Sequence, residues 1–253
     1  MTALEVDGLT VRYGSLLALD GVSWQAAGGQ ILGIIGPNGA GKSSSFAAVT
    51  NAVRHEGGVR LHGVDCTGVP TQVLARRGLR RTFQQNSFFG GLSVLENAMT
   101  AFQVEHAAGL GAAIVAPWRE ARARRASRDA ARALLDEFGI ARRHHDSRPD
   151  DLPYGLQRIL SIVLAYGGGA GVLLVDEPAA GVGGDDMRVL ADLLRELRGR
   201  GLAVVLIEHH IDLVMDVVDA LLVIDRGATI AYGDPAEVRR DPAVLEAYLG
   251  RTA

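Results

Sequence analysis

Residues 36–43 read Gly-Pro-Asn-Gly-Ala-Gly-Lys-Ser, and no other stretch constrains the fold as tightly. The octapeptide fits G-x-x-x-x-G-K-[ST], a loop that cradles phosphate when a strand runs into it and a helix leaves it. Both neighbours are present. Ile31, Leu32, Ile34 and Ile35 form a short apolar run, as in a strand buried on both faces. Ser44-Ser45-Phe46-Ala47-Ala48-Val49 supplies a first helical turn. Glycines let backbone N–H groups turn inward around an anion. A helix N-terminus adds partial positive charge. Gly36, Pro37, Asn38, Gly39, Ala40, Gly41, Lys42, Ser43 and Ser44 are therefore the expected phosphate-binding residues. Lys42 is expected to reach the β- and γ-phosphates, and the Ser43 hydroxyl to ligate Mg²⁺. Of 26 basic residues, 25 are arginine, and the single lysine is Lys42. A compact ammonium fits inside a phosphate loop; a planar guanidinium does not.

The totals set outer bounds. A chain of 253 residues is expected to form one large domain or two small ones, and an apolar fraction of 48% is ample for a buried core. A net charge of −3 gives no electrostatic reason to expect a nucleic-acid partner. One cysteine, Cys66, excludes internal disulfides and fits a reducing compartment. The first residues show neither the basic region nor the apolar core of a signal peptide. Residues 159–175 carry no charge over 17 positions, at the lower edge for a membrane span. Gly167-Gly168-Gly169-Ala170-Gly171 breaks that run, which reads as a buried helix, a turn and a buried strand. Any membrane role is then expected to come through a partner.

Along the chain, residues 3–35 read as short strands with turns at Asp7-Gly8, Tyr13-Gly14, Asp20-Gly21 and Gly28-Gly29. Tyr13 either stacks on a nucleobase or packs as a strand tyrosine. Residues 57–85 hold a strand pair near 59–63, a helix near 71–77 and a strand end at Gln84, an amide that either meets Mg²⁺ or is a solvated loop residue. Residues 93–147 read as helical. Their Arg/Ala-rich part, 119–132, is either a solvated helix face or a basic surface near anionic headgroups. Asp150 or Asp151 is available as a helix cap, with Pro153 in the first turn behind it. Residues 172–175 form an apolar strand that ends in Asp176 and Glu177. At the carboxyl edge of a parallel sheet, where ligands bind, Asp176 can hold Mg²⁺ and Glu177 can polarise a water. Residues 202–207 repeat the pattern and end in Glu208-His209-His210, so His209 can reach a γ-phosphate. Residues 221–232 form a last strand pair, and 236–249 one or two short helices.

Taken in order, these residues resemble the ATP-binding subunit of ATP-binding cassette (ABC) transporters over essentially the whole chain. Residues 36–43 match Walker A, and Asp176 with Glu177 matches Walker B and its catalytic glutamate. Tyr13 matches the adenine-stacking aromatic, Gln84 the Q-loop glutamine and His209 the switch histidine. Leu152, Pro153, Tyr154, Gly155 and Leu156 stand where the family signature belongs, usually Leu-Ser-Gly-Gly-Gln. Arg81-Thr82-Phe83-Gln84, the Leu-Pro-Tyr-Gly start, Glu177-Pro178-Ala179-Ala180-Gly181 and the Glu246-Ala247-Tyr248-Leu249-Gly250 tail are similar to Liv-type subunits of branched-chain amino acid importers, more to the G than the F member. Four departures stand out: Pro153 for the signature serine, Leu156 for its glutamine, Ile159 and Leu164 for helix arginines, and Gly183 for an aspartate after Walker B. All lie in the half that faces a partner subunit's nucleotide.

The resemblance implies an α/β P-loop NTPase with a mostly parallel core sheet and an antiparallel β subdomain. It also implies a helical subdomain near 85–165 and a Liv-type tail near 234–253. It implies an ATPase that uses ATP and Mg²⁺, with Lys42, Glu177 and His209 catalytic and Ser43, Gln84 and Asp176 around the metal. Residues 152–156 would serve the nucleotide of a second ATP-binding subunit, in a homodimer or a heterodimer. Two membrane permeases and, indirectly, a solute-binding protein complete the set, at the cytoplasmic face of the membrane and with no nucleic acid. The alternatives are a hydrolysis-poor regulatory ABC subunit and a soluble ABC ATPase outside transport.

Overall fold

The computed structural model describes residues 1–82, 88–103 and 117–249. Two sheets pack around a shared core. Strands β1 (Thr2–Tyr13), β2 (Leu16–Ala27), β4 (Glu56–Leu61) and β5 (Val64–Asp65) form an antiparallel sheet in the order β2-β1-β4-β5. The core sheet runs β10-β9-β3-β8-β7-β6. Its strands are β3 (Ile31–Ile35), β6 (Leu79–Arg81), β7 (Val172–Asp176), β8 (Ala203–Ile207), β9 (Ala220–Asp225) and β10 (Ala228–Gly233). All neighbours in it are parallel except the β9–β10 hairpin.

The apolar runs explain the central strands. Every residue of β3, β7 and β8 is buried. In β7, Val172 and Leu174 face a core shared with the antiparallel sheet, α1 (Lys42–Val49) and α2 (Thr71–Arg76). Leu173 and Val175 face the opposite core, built with α3 (Val94–Gln103), α4 (Pro117–Glu137), α5 (Tyr154–Gly167) and α6 (Asp185–Gly199). Strands covered on both faces need no polar alternation, so they read as continuous apolar runs. Parallel pairing then delivers the ends of β3, β7 and β8 to one edge, where ligands gather in open α/β sheets.

Some local expectations are corrected. Gly8 and Gly21 are not turns. They sit inside β1 and β2 with φ of 59° and 65°, beside register shifts in a ladder that continues past them. Left-handed glycines of this kind bulge and twist a strand without ending it. Asp150 and Asp151 do not cap α5; they lie in a 3₁₀ turn, and α5 has no side-chain cap. Pro153 occupies its N-cap position rather than its first turn. α3 is capped as its sequence allows: Ser93 and Glu96 exchange backbone-to-side-chain bonds of 2.9 and 3.2 Å. The expected strand pair at 221–232 is present, and the tail forms two short helices, Pro235–Val238 and Pro242–Leu249. Among the described residues no helix is long and apolar enough to cross a membrane.

Candidate active site

The glycine loop follows β3 directly. A side chain at Gly36 would run into the Ile224 carbonyl, and one at Gly41 into that of Ala18; both glycines hold positive φ, 155° and 106°. The loop is thus clamped between the β1–β2 hairpin and the end of β9. Gly227 closes the clamp, donating to the Ala40 carbonyl at 2.9 Å and accepting from Asp20 at 2.8 Å. The first N–H groups of any helix lack intrahelical acceptors, and at α1, which follows the loop directly, no side chain caps them. Lys42 is 5% exposed, and its Nζ donates to the Gly36 and Pro37 carbonyls at 2.8 and 3.0 Å. Burial lowers its pKa, against the raising effect of Glu177 and Asp176.

Asp176 ends β7 and is 3% exposed. Arg81 donates to its Oδ2 at 2.7 Å, and its own N–H donates to the Thr82 hydroxyl at 3.1 Å. Its Oδ1 is buried with no hydrogen-bond partner among the described residues. Burial raises the carboxyl pKa, and the bond to Arg81 works against that rise. Glu177 follows with φ of +45°, a backbone conformation that costs a non-glycine residue about 1–3 kcal/mol and clusters at functional sites. Its N–H is anchored on the Ile207 carbonyl at 2.8 Å, and its Oε1 lies 2.7 Å from His209 Nε2. The His209 ring is therefore paired with Glu177.

Glu208 sets this arrangement. It is 1% exposed and accepts from the backbone of Ala179 (2.7 Å), His209 (2.6 Å) and His210 (2.9 Å). One buried carboxylate ties the loop after β7 to the end of β8. Tyr13, Asn38, Lys42, Ser43, Glu177 and His209 then line one cleft of about 580 Å³, with Tyr13 46% exposed on its rim. Among the described residues no group bonds the Ser43 hydroxyl. Gln84 lies outside the described residues. Residues 152–156 do not line the cleft: Leu152 and Gly155 are buried, and Tyr154 is exposed at the start of α5.

Arg81, Glu208, Ala18 and Arg226 also belong to this neighbourhood, and sequence reasoning gave them no role. Ala18 and Arg226 reach the cleft only because the hairpin and the β9–β10 turn fold over it. Arg81 sat inside a subfamily stretch without a chemical reason attached. Nothing local in the sequence sets Glu208 apart from the histidines beside it.

The ABC transporter family model matches residues 19–180. The chain belongs to the ABC transporter family. A second model, for branched-chain amino acid ATP-binding cassette transporters, matches residues 228–253. The ABC chain is 36% identical to the high-affinity branched-chain amino acid transport ATP-binding protein LivG of Salmonella typhimurium, covering 98% of this chain and 97% of that one. It is also 36% identical, with the same coverage, to BraF of Pseudomonas aeruginosa, which carries the same description. LptB of Escherichia coli, a lipopolysaccharide export ATP-binding protein, is 31% identical over 99% of this chain and 98% of its own. Among solved structures, the ADP conformation of MJ1267, an ATP-binding cassette of an ABC transporter, matches with a TM-score of 0.83 at 28% identity, over 99% of this chain and all of that one. This ABC ATPase is thus an ATP-binding α/β cassette of the kind that works with permease subunits.

Proposed function

We propose that this ABC ATPase binds and hydrolyses ATP with Mg²⁺ to drive uptake of branched-chain amino acids or related small polar solutes. The observation that carries the chemistry is the single cleft that gathers Lys42, Ser43, Glu177 and His209. Lys42 would exchange its two loop carbonyls for the β- and γ-phosphates. The open N–H groups at the start of α1 bind the same anion. Tyr13 stacks on the base from the rim. Among the described residues no group of three or more His, Cys, Asp or Glu is placed to hold a metal alone. That suits Mg²⁺, which binds through one or two protein ligands together with substrate phosphates. The Ser43 hydroxyl and the unpartnered Asp176 Oδ1 fit that task, with Gln84 as the third proposed ligand. When bound, Mg²⁺ neutralises phosphate charge. Glu177 takes the proton of the attacking water, and His209 orients Glu177 through the 2.7 Å contact.

Residues 152–156 would serve the nucleotide of a second ATP-binding subunit in a head-to-tail pair. Residues 1–253 would form one cassette, with the helical part near 85–165 facing two permeases at the cytoplasmic face of the membrane. The solute class rests on the tail match and on relatives similar from end to end. Identity alone separates LivG from the exporter subunit LptB by only a few per cent, so the tail carries more weight. The test is uptake of labelled leucine in cells that carry the chain with its permeases. Lys42→Ala should abolish the ATP-dependent part. Unchanged uptake with the variant would remove the proposal.

A further inference from the structure

Arg81 ends β6, the edge strand paired with β7 in register Arg81↔Leu174. Its side chain is 18% exposed. The guanidinium stacks over the fully buried Phe46 of α1, 5.5 Å from the ring centroid, and donates to Asp176 Oδ2 at 2.7 Å. The hydroxyl of the next residue, Thr82, accepts from the Asp176 backbone N–H at 3.1 Å, and the Thr82 N–H donates to the Leu174 carbonyl at 2.9 Å. Consecutive residues therefore fix the backbone and one oxygen of Asp176, and Oδ1 is left without a partner among the described residues.

A planar guanidinium locked on an aromatic face and on one carboxylate oxygen does two things. It fixes the carboxylate rotamer, so Oδ1 is presented without a search. It also places a permanent positive charge against the group that would receive a second cation. These effects oppose each other in Mg²⁺ affinity. Freezing a short carboxylate is a small gain, because its rotamer entropy is small. A like charge in a partly buried site acts more strongly, since even at an effective dielectric of about 20 two unit charges 4 Å apart interact by several times thermal energy. The charge effect wins.

We propose that Arg81 is a positioning residue that shares Asp176 with Mg²⁺, aiming Oδ1 at the cation while keeping its affinity low enough for release after hydrolysis. The proposal rests on the assignment of Asp176 and Ser43 to Mg²⁺. It predicts that removing the charge tightens Mg²⁺, the opposite of what loss of a merely structural residue would do.

The experiment measures ADP affinity by calorimetry, with Mg²⁺ and with a chelator, at one fixed pH for all variants. The quantity read is the gain in affinity that Mg²⁺ brings. Arg81→Gln should enlarge that gain at least about tenfold over the wild type and slow ADP release to match. Arg81→Lys, which keeps the charge but not the planar fork, should stay within about threefold of the wild type. An unchanged or smaller gain in Arg81→Gln overturns the proposal. So does a tenfold change in Arg81→Lys, which remains informative if the glutamine variant does not fold. A wild type with no Mg²⁺ gain would instead sink the metal assignment on which the inference stands.

Discussion

The glycine loop at residues 36–43 and the signature segment at 152–156 are both helix starts, yet they are held very differently. The loop is clamped by backbone from three distant places, near Ala18, Ile224 and Gly227, and two of its glycines allow no side chain. The signature segment has Pro153 at the N-cap with no side-chain cap, an exposed Tyr154, and Gly155 tucked against the Asp186 carboxylate of α6. One helix start, the proposed anion cradle, is held by backbone on several sides. The other lacks the hydroxyl and N–H that a capping serine would offer, and an acidic side chain stands beside it. The contrast suggests a division of labour: this chain's own ATP is the one hydrolysed, and the partner supplies the stronger signature.

The strongest way to break that reading is Glu177→Gln. It keeps the shape and removes the base, so turnover should fall about 10²–10⁴-fold while ATP binding persists. A steady-state ATPase assay beside a binding titration checks both halves. Turnover at the wild-type rate would make Glu177, with its left-handed backbone, a structural residue only. Next in size is Lys42→Ala. It removes charged hydrogen bonds worth about 1.5–3 kcal/mol each, so ATP affinity should drop on the order of 10²-fold. Calorimetric affinity equal to the wild type would count against the whole cradle.

The same contrast explains what could be read from the sequence. The cradle was legible because its chemistry is local: spacing, glycines and one lysine carry it. The apolar runs before Gly36, Glu177 and Glu208 likewise gave away the central strands, since a strand buried on both faces needs no alternation. Gly8 and Gly21 misled, because a glycine with positive φ serves a bulge as well as a turn, and only the partner strand decides which. The clamp was invisible, since Ala18 and Gly227 meet the loop only through tertiary folding. So were the struts of Arg81 on Asp176 and of Glu208 on Ala179, which join residues 95 and 29 positions apart. The tail was recognised by its letters alone. Its physical reason lies in contact: Val244 packs in a cluster with Ile35, and Tyr248 lies against the Gly36 backbone.

Tyr13→Ala sharpens the comparison on the cleft side. The ring stands 46% exposed on the rim, so its loss should cost little stability and about 1–3 kcal/mol of ATP affinity. Stacking reads any base face, so GTP should weaken about as much as ATP. Equal affinities for wild type and variant would return Tyr13 to the role of a packing residue at the end of β1.

The smallest effect is expected where the signature could be repaired. Pro153→Ser puts a hydroxyl at the N-cap, where serine is favoured and can accept from the first-turn N–H groups of α5. The backbone there has φ of −52° and ψ of 143°, which serine adopts without strain. The variant should therefore fold at least as well as the wild type, and its melting temperature should not fall. It adds one donor toward a partner's γ-phosphate. A single donor in such a site is worth about 10²–10³ in rate when the geometry is complete. Here Leu156 and Asp186 still depart from an open anion site, so only a few-fold rise in turnover of a homodimer is expected. Two outcomes cut the other way. A hundredfold rise would show that Pro153 alone weakens this half. No rise, with a homodimer of the wild-type chain already fully active, would show that residues 152–156 serve as they stand, and the division of labour between the two helix starts would fail.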